Sequence, residues 1–282
     1  MINFIAVEPI VNGVRSYSEL EYSSLDGLPG KRMWTSNTFD QDPQPMLPWQ
    51  PAEATLTTVD GVDALTFFVY LERFDCGAHA FFQVILRRDR PYEVGLKAFA
   101  AQDSAPIEYC VFTATMGNYA RLRHLWLDDE IVESTQLWAN AQPNEFGFFA
   151  PAEWSVDRLL YVGDGVIVAA TPNETDPERA TYEPEVSVAW YYIGQIATQY
   201  WRKPTPHQHL KLRVTGRRTY WPHANRATIP GGIAYENFEL IEPFVPGREF
   251  WFGVTPDTPE SLGFSPECRK RLTSASTPPA DP

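Results

Sequence analysis

Leu65-Thr66-Phe67-Phe68-Val69-Tyr70-Leu71, entered from the turn Asp60-Gly61, is the stretch whose reading decides the fold. It is β-branched and aromatic throughout and shows no 3.6-residue spacing of apolar positions. Residues 80–86 repeat this texture, 87–91 turn the chain, and 92–98 continue it. Further out, 121–127, the turn Asp128-Asp129 and 131–138 read as a hairpin. So do 159–162, Gly163-Asp164-Gly165 and 166–170, where glycine supplies the positive φ that such turns need. Residues 186–201, 210–215, 233–242 and 250–254 complete a set of about twelve to sixteen strands. Helix signals amount to single turns at 155–159, 259–262 and 268–272. With 25 prolines and 17 glycines as punctuation, the expected fold is all-β. It is a large antiparallel β-sandwich of jelly-roll type with very few short helices, a closed barrel being the other all-β solution.

Residues 1–264 read as one β-sandwich domain, or as two packed β-subdomains meeting near 139–151; residues 265–282 read as a disordered tail of small residues and proline. Residues 41–51, which carry four prolines, and 139–151 read as long loops of the kind that edge a cleft.

The 282 residues are 44% hydrophobic and only 21% charged, which gives ample material for a core and rules out a disordered polyelectrolyte. Thirty-six acidic against 23 basic side chains leave a net charge of −13. That balance lacks the basic footprint that nucleic acid requires. The longest apolar runs, such as 166–170, fall far short of a membrane span. The first residues have no basic region and their apolar stretch stops at Glu8, so a cytoplasmic location is expected. Cys76, Cys110 and Cys268 are too few and scattered for a disulfide framework or a thiolate zinc site, and Cys110 reads as a small core hydrophobe. Self-association as a homo-oligomer is expected, because open sheet edges and spare aromatics are often buried between subunits.

Nine Trp, thirteen Tyr and seventeen Phe exceed what a core alone usually demands. Trp34, Trp49, Trp138, Trp154 and Trp221 lie near predicted turns beside Asn, Pro, Gln and Glu. Flat rings next to hydrogen-bonding groups suit a sugar, whose C–H face stacks while its hydroxyls are held in the plane. Trp packed over the open ends of a sandwich explains the same composition with equal weight.

Chemistry-bearing residues fall into several strands. In 188–203, alternation puts Thr198, Tyr200 and Arg202 on one face. Arg beside Tyr could neutralise a uronate and supply acid or base for elimination, or could orient hydroxyls beside a glycosidase carboxylate; a cross-strand ladder is the plainer explanation. In 230–240, Tyr235, Asn237 and Glu239 alternate with Ala234, Glu236, Phe238 and Leu240, so Glu236 is expected among apolar side chains. A carboxyl there must be paired or have a raised pKa, as a general acid does. Glu93 and Lys97 flank Gly95, which permits close approach of a ligand or a neighbouring backbone. Glu153 adjoins Trp154, and Gly117-Asn118 can re-aim Tyr119 and Arg121 at a cleft. Glu19 and Glu21 share a strand face with Tyr17. His207 and His209 are in phase with Lys211 and Arg213, which argues against a metal there. The nucleophile-elbow, P-loop, dinucleotide and zincin motifs are absent.

These features point to a carbohydrate-active enzyme that cleaves glycosidic bonds in an aromatic-lined cleft. The expected catalytic set is Glu236, Glu239, Tyr200 and Arg202, and the expected substrate contacts are Glu93, Lys97, Tyr119, Arg121, Glu153, Trp154, Trp221 and Asn237. A hydrolase with a carboxylate pair is favoured over a lyase using Tyr and Arg. A non-catalytic carbohydrate-binding protein and a small-molecule isomerase or cyclase in a barrel are the remaining alternatives. No cofactor, metal, nucleic acid or membrane is expected, and a carbohydrate is the partner.

Overall fold

The computed structural model describes residues 4–16, 33–43, 53–115, 121–173, 197–219, 228–229 and 231–269. Its strands are β1 (Phe4–Val11), β2 (Val14–Arg15), β3 (Met33–Ser36), β4 (Thr55–Val59), β5 (Val62–Leu71), β6 (Ala80–Arg87), β7 (Glu93–Ala100), β8 (Tyr109–Thr115) and β9 (Leu122–Trp126). They continue with β10 (Ile131–Glu133), β11 (Ala152–Ser155), β12 (Leu160–Val162), β13 (Gly165–Pro172), β14 (Thr198–Pro204), β15 (Lys211–Arg217), β16 (Ala234–Pro243) and β17 (Glu249–Thr255). One sheet has six strands in the order β11-β15-β16-β8-β1-β2. The other has eleven, in the order β10-β9-β13-β14-β17-β7-β6-β5-β3, with β12 on β13 and β4 on β5. The molecule is therefore the large antiparallel β-sandwich that the period-two pattern predicts.

Alternation builds the layer between the sheets. Val69, Leu71, Phe82, Val84, Leu96, Trp201, Phe250 and Phe252 of the larger sheet meet Phe112, Leu212, Val214, Phe238 and Leu240 of the smaller. Phe112 stacks on Phe250 with centroids 3.8 Å apart. The Trp201 indole N–H crosses the layer to the Phe238 carbonyl at 2.7 Å. A two-residue turn closes the β1–β2 hairpin: Asn12 (φ 50°) and Gly13 (φ 72°) join Val11 to Val14 with the backbone twist such a turn requires. That turn delivers Arg15 to the edge of the six-stranded sheet.

Several expectations need correcting. Ser134–Leu137 is a short helix, not the end of a strand, because the Ser134 hydroxyl donates to the Ile233 carbonyl at 2.6 Å and pulls the chain against β16. Trp138 is buried, stacked on Phe149, and lies against Gly216, where an added Cβ would come within 2.4 Å of its ring. Trp154 also packs against the core. Neither forms a surface platform. Residues 265–269, expected in a disordered tail, pack on the larger sheet's outer face, with Phe264 and Cys268 buried against Trp126, Ile131 and Tyr200. The single turns expected at 155–159 and 259–262 are present as Val156–Arg158 and Pro259–Leu262. Among the described residues no helix is long and apolar enough to cross a membrane.

Between the sheets lies an ion pair, Lys203 Nζ to Glu242 at 3.2 Å, fully buried on the lysine side. Arg248 approaches Glu242 from the rim at 3.4 Å, and Lys203 sits over the Phe250 ring. Burial pushes the Lys203 ammonium down to about 8, with Glu242 opposing the shift. Its folded pKa is thus below the unfolded value of 10.5. Below pH 8 the lysine is charged in both states and the cost of burying it is present. Between those two values the unfolded chain holds more protons, so the group's contribution to stability rises with pH. Urea unfolding of wild type minus Lys203→Met is expected to rise from pH 8 to 10 by up to about 1.4 kcal/mol per pH unit; a flat difference would mean the lysine is not depressed.

Candidate active site on the outer face of the six-stranded sheet

A bulge decides what the outer face of the smaller sheet carries. Val214 pairs with Phe238 and Gly216 with Tyr235, so Glu236 and Asn237 together oppose Thr215. Tyr235 and Phe238 both enter the core, and Gly216 faces the core residue Trp138. Glu236 and Asn237 are therefore turned outward with Thr215, as the paired residues of a bulge are. Strict alternation had put Glu236 with Phe238 and Leu240, opposite Glu239. The extra residue moves it to the face that Glu239 occupies. Asn237 is anchored there by its N–H on Thr215 Oγ1 at 3.3 Å.

The next row on this face runs Glu153, Arg213, Glu239 and Thr113 across β11, β15, β16 and β8 in direct register. Glu8 projects the same way from β1, since Val7 is in the core. Arg15 reaches from β2 over β1 and β8. Its Nη1 and Nη2 donate to the two oxygens of Glu239 at 3.1 and 2.7 Å, and its Nε donates to Glu8 at 2.6 Å. Nη2 also contacts Glu8. Because both carboxylates touch Nη2, their nearest oxygens lie no more than about 5 Å apart, a ceiling below the wider carboxyl spacings of inverting glycosidases. Thr113 Oγ1 donates to Glu239 at 3.4 Å. Lys211 engages Glu153 at 3.1 Å. The whole reads as an alternating chain of charge: Lys211, Glu153, Arg213, Glu239, Arg15, Glu8.

Glu8, Thr113, Glu236 and Glu239 are 1–3% exposed although none faces the apolar layer. Buried carboxylates on the side of a sheet turned away from its core are costly unless hydrogen-bonded. Here Arg15 supplies that compensation for two of them at once. Burial and then the charges of Glu8 and Glu239 act on its guanidinium in opposite directions, with a net upward shift, so it stays charged.

The other expected residues assemble elsewhere. Tyr200 lies in row with Gly253 and Glu93, and Arg202 in row with Trp251 and Gly95, on the outer face of the larger sheet. The Tyr200 hydroxyl donates to Glu93 at 2.9 Å, and Arg202 Nε donates to the same oxygen at 3.2 Å. Two glycines make this possible. A Cβ at Gly253 would come within 2.2 Å of the Tyr200 ring, and one at Gly95 within 2.7 Å of Trp251. Lys97 pairs with Glu249 at 2.8 Å. Burial, followed by the charge of Glu93, pushes the Tyr200 phenol up, which makes it a poor base. The expected single cleft joining Glu236 or Glu239 to Tyr200 and Arg202 does not form: the groups sit on opposite outer surfaces of the sandwich. Glu93 and Lys97 belong with Tyr200, whereas Glu153 and Asn237 belong with Glu239.

Arg121 is buried with φ 50° at the entry to β9. Tyr119 and Trp221, together with Glu19, Glu21 and Trp49, lie outside the described residues. Glu8, Arg15, Thr113 and Arg213 were not singled out from the sequence. Glu8 had the same signal as Glu236, a lone carboxyl in an apolar run. Arg15 had none, because Glu239, the partner that brings it over the sheet, is 224 residues away. No protein-family model, curated protein or solved structure matches the chain.

Two outcomes test this geometry. Arg15→Met leaves two buried carboxylates without their shared cation and is expected to cost about 3–5 kcal/mol in urea unfolding. Adding Glu8→Gln to that variant is expected to return part of the loss. A cost below about 1 kcal/mol for Arg15→Met would show that the pair does not depend on it. On the other face, Gly253→Ala is expected to cost about 1–3 kcal/mol, because the Tyr200 ring already occupies the methyl position.

Proposed function

We propose that the protein is a carbohydrate-active enzyme that cleaves glycosidic bonds on the outer face of the six-stranded sheet, with Glu239 and Glu8 as its carboxylate pair. The observation that carries this reading is the approach of two buried carboxylates, from strands separated by β8, to within about 5 Å. That spacing leaves no room for a water between carboxyl and anomeric carbon and favours retention over inversion.

Glu239, held in the free protein by two hydrogen bonds from Arg15 and one from Thr113, is the nucleophile, and the Thr113 bond is the one that stays when sugar enters. Its oxygen bonds to the anomeric carbon while the bond from that carbon to the leaving oxygen breaks, and Glu8, buried and protonated once Arg15 has left it, gives the leaving oxygen its proton. Water, deprotonated by Glu8, then attacks the same carbon and releases Glu239, which restores both groups. Arg15, carried on the two-residue strand β2 at the sheet edge, is the side chain that makes way as the sugar enters. Asn237 and Thr215, beside the pair on the bulge, are suited to hold sugar hydroxyls.

The test is release of reducing ends from a panel of neutral and uronic-acid glycans, with absorbance of unsaturated uronate read in parallel. Reducing ends without absorbance are expected. Glu239→Gln and Glu8→Gln are each expected to lower kcat at least about 10³-fold. Azide is expected to restore turnover by one of these variants through a glycosyl azide. Absorbance at the uronate wavelength, or full activity in Glu239→Gln, would overturn the reading.

A further inference from the structure

An apolar row runs out from under the six-stranded sheet and ends at an edge of the larger one. On β5 and β6 the residues facing the apolar layer pair in unbroken register, Val69 with Phe82, Phe67 with Val84 and Leu65 with Leu86. Val69, Phe82 and Val84 are at most 8% exposed, whereas Leu65 and Leu86 are 39% and 38% exposed. Leu56 of β4 pairs with Leu65, extends the row to the sheet edge and is 73% exposed. Ala64 and Ile85, on the opposite side of the same strands, are buried with Trp251. The exposure therefore belongs to an ordered, fully paired part of the sheet and not to a frayed end.

The strand that carries Leu56 is also built to pair. Asp60 and Gly61 (φ 51° and 78°) make a two-residue turn, which fixes Val59–Val62 as a hydrogen-bonded pair. Counting in twos, Thr57 and Thr55 also bond to β5, so the backbone N–H and C=O of Leu56 and Thr58 point out of the sheet edge. Exposed edges are commonly guarded by charge or proline, or by being short. Here β2 carries Arg15, β11 carries Glu153, and β10 carries Glu133 and runs into the Ser134–Leu137 helix. In contrast, β4 is Thr-Leu-Thr-Thr-Val, without charge, proline or bulge.

We propose that β4 joins two copies of the chain, antiparallel about a two-fold axis at Leu56, so that their larger sheets run on as one. The parity of the edge fits this register. Leu56 and Leu56 of the partner subunit both point their backbone groups outward and exchange two hydrogen bonds. On the layer-facing side the three-leucine row of one copy meets that of the other. On the other side Thr55 stands opposite Thr57 of the partner subunit, a favourable cross-strand pair, and the contact occurs twice by symmetry. Glu53 falls opposite Val59 of the partner subunit, so no like charges are set against each other. A second copy is the occupant favoured over an unrelated extended segment because it brings the matching leucine row behind its own edge. The inference is independent of the reaction proposed above.

Sedimentation velocity of the full chain over a concentration series tests it, with melting temperature as the check on folding. The wild type is expected to be a reversible dimer. Leu56→Lys and Leu56→Glu each set like charges opposite at the axis and are expected to raise the dimer Kd at least about 30-fold, the size of a hot-spot loss. An equimolar mixture of these two variants is expected to dimerise again, because the opposed charges are then unlike. Thr58→Pro removes an N–H that points away from β5 and is expected to give a folded monomer. A dimer that survives Leu56→Lys and Thr58→Pro, or a mixture that stays monomeric, would overturn the β4 axis. So would a monomeric wild type, including one that instead binds a synthetic Thr-Leu-Thr-Thr-Val peptide, which would make β4 a peptide edge.

Discussion

The shared guanidinium of Arg15 is the interaction on which the outer face of the six-stranded sheet depends. Two carboxylates from different strands are buried on the side of the sheet turned away from the apolar layer, and a single side chain from the sheet edge compensates both. In a medium of reduced polarity each carboxylate alone would be costly. Linked through one cation, they become a fixed pair at short separation. The Asn12-Gly13 turn matters for the same reason, because it sets the edge strand whose second residue is Arg15.

The opposite outer surface shows how similar residue types settle into a closed network. Glu93 accepts from Tyr200 and Arg202, Lys97 takes Glu249, and Trp251 and Tyr200 fill the space that Gly95 and Gly253 leave open. Arg90 and Arg202 lie over the Trp251 ring. Glycines beneath aromatic rings here serve packing between neighbouring strands, the second of the two roles that a glycine in a strand allows. Among the described residues, Trp126, Trp138, Trp201 and Trp251 are likewise buried.

Much of the sandwich was legible because side-chain alternation is a local property. The stretch around Leu65–Leu71, the hairpin through Gly163 and the single helical turns could be placed without knowing their neighbours. Glu239 and the Tyr200–Arg202 face were likewise found by counting in twos. Counting failed at Glu236, where one extra residue opposite Thr215 reverses the phase, and no glycine or proline next to it in that strand announces it. It also failed at Ser134, where a hydroxyl bonded to Ile233, just before β16, overrides a strand-like run.

The sequence by itself determined an antiparallel all-β chain, its main hairpins, and which residues of most strands share a face, because these depend on neighbours two positions apart. Tertiary structure alone decided that Glu8 and Glu239 meet, that Tyr200 and Arg202 belong to a different surface, and that Leu56, in row with Leu65 and Leu86, stands exposed at a sheet edge. Those outcomes rest on strand order, on one bulge and on the reach of Arg15 over two strands. Contacts between residues up to 224 positions apart leave no periodic trace in a chain, so only the folded sheets could bring them together.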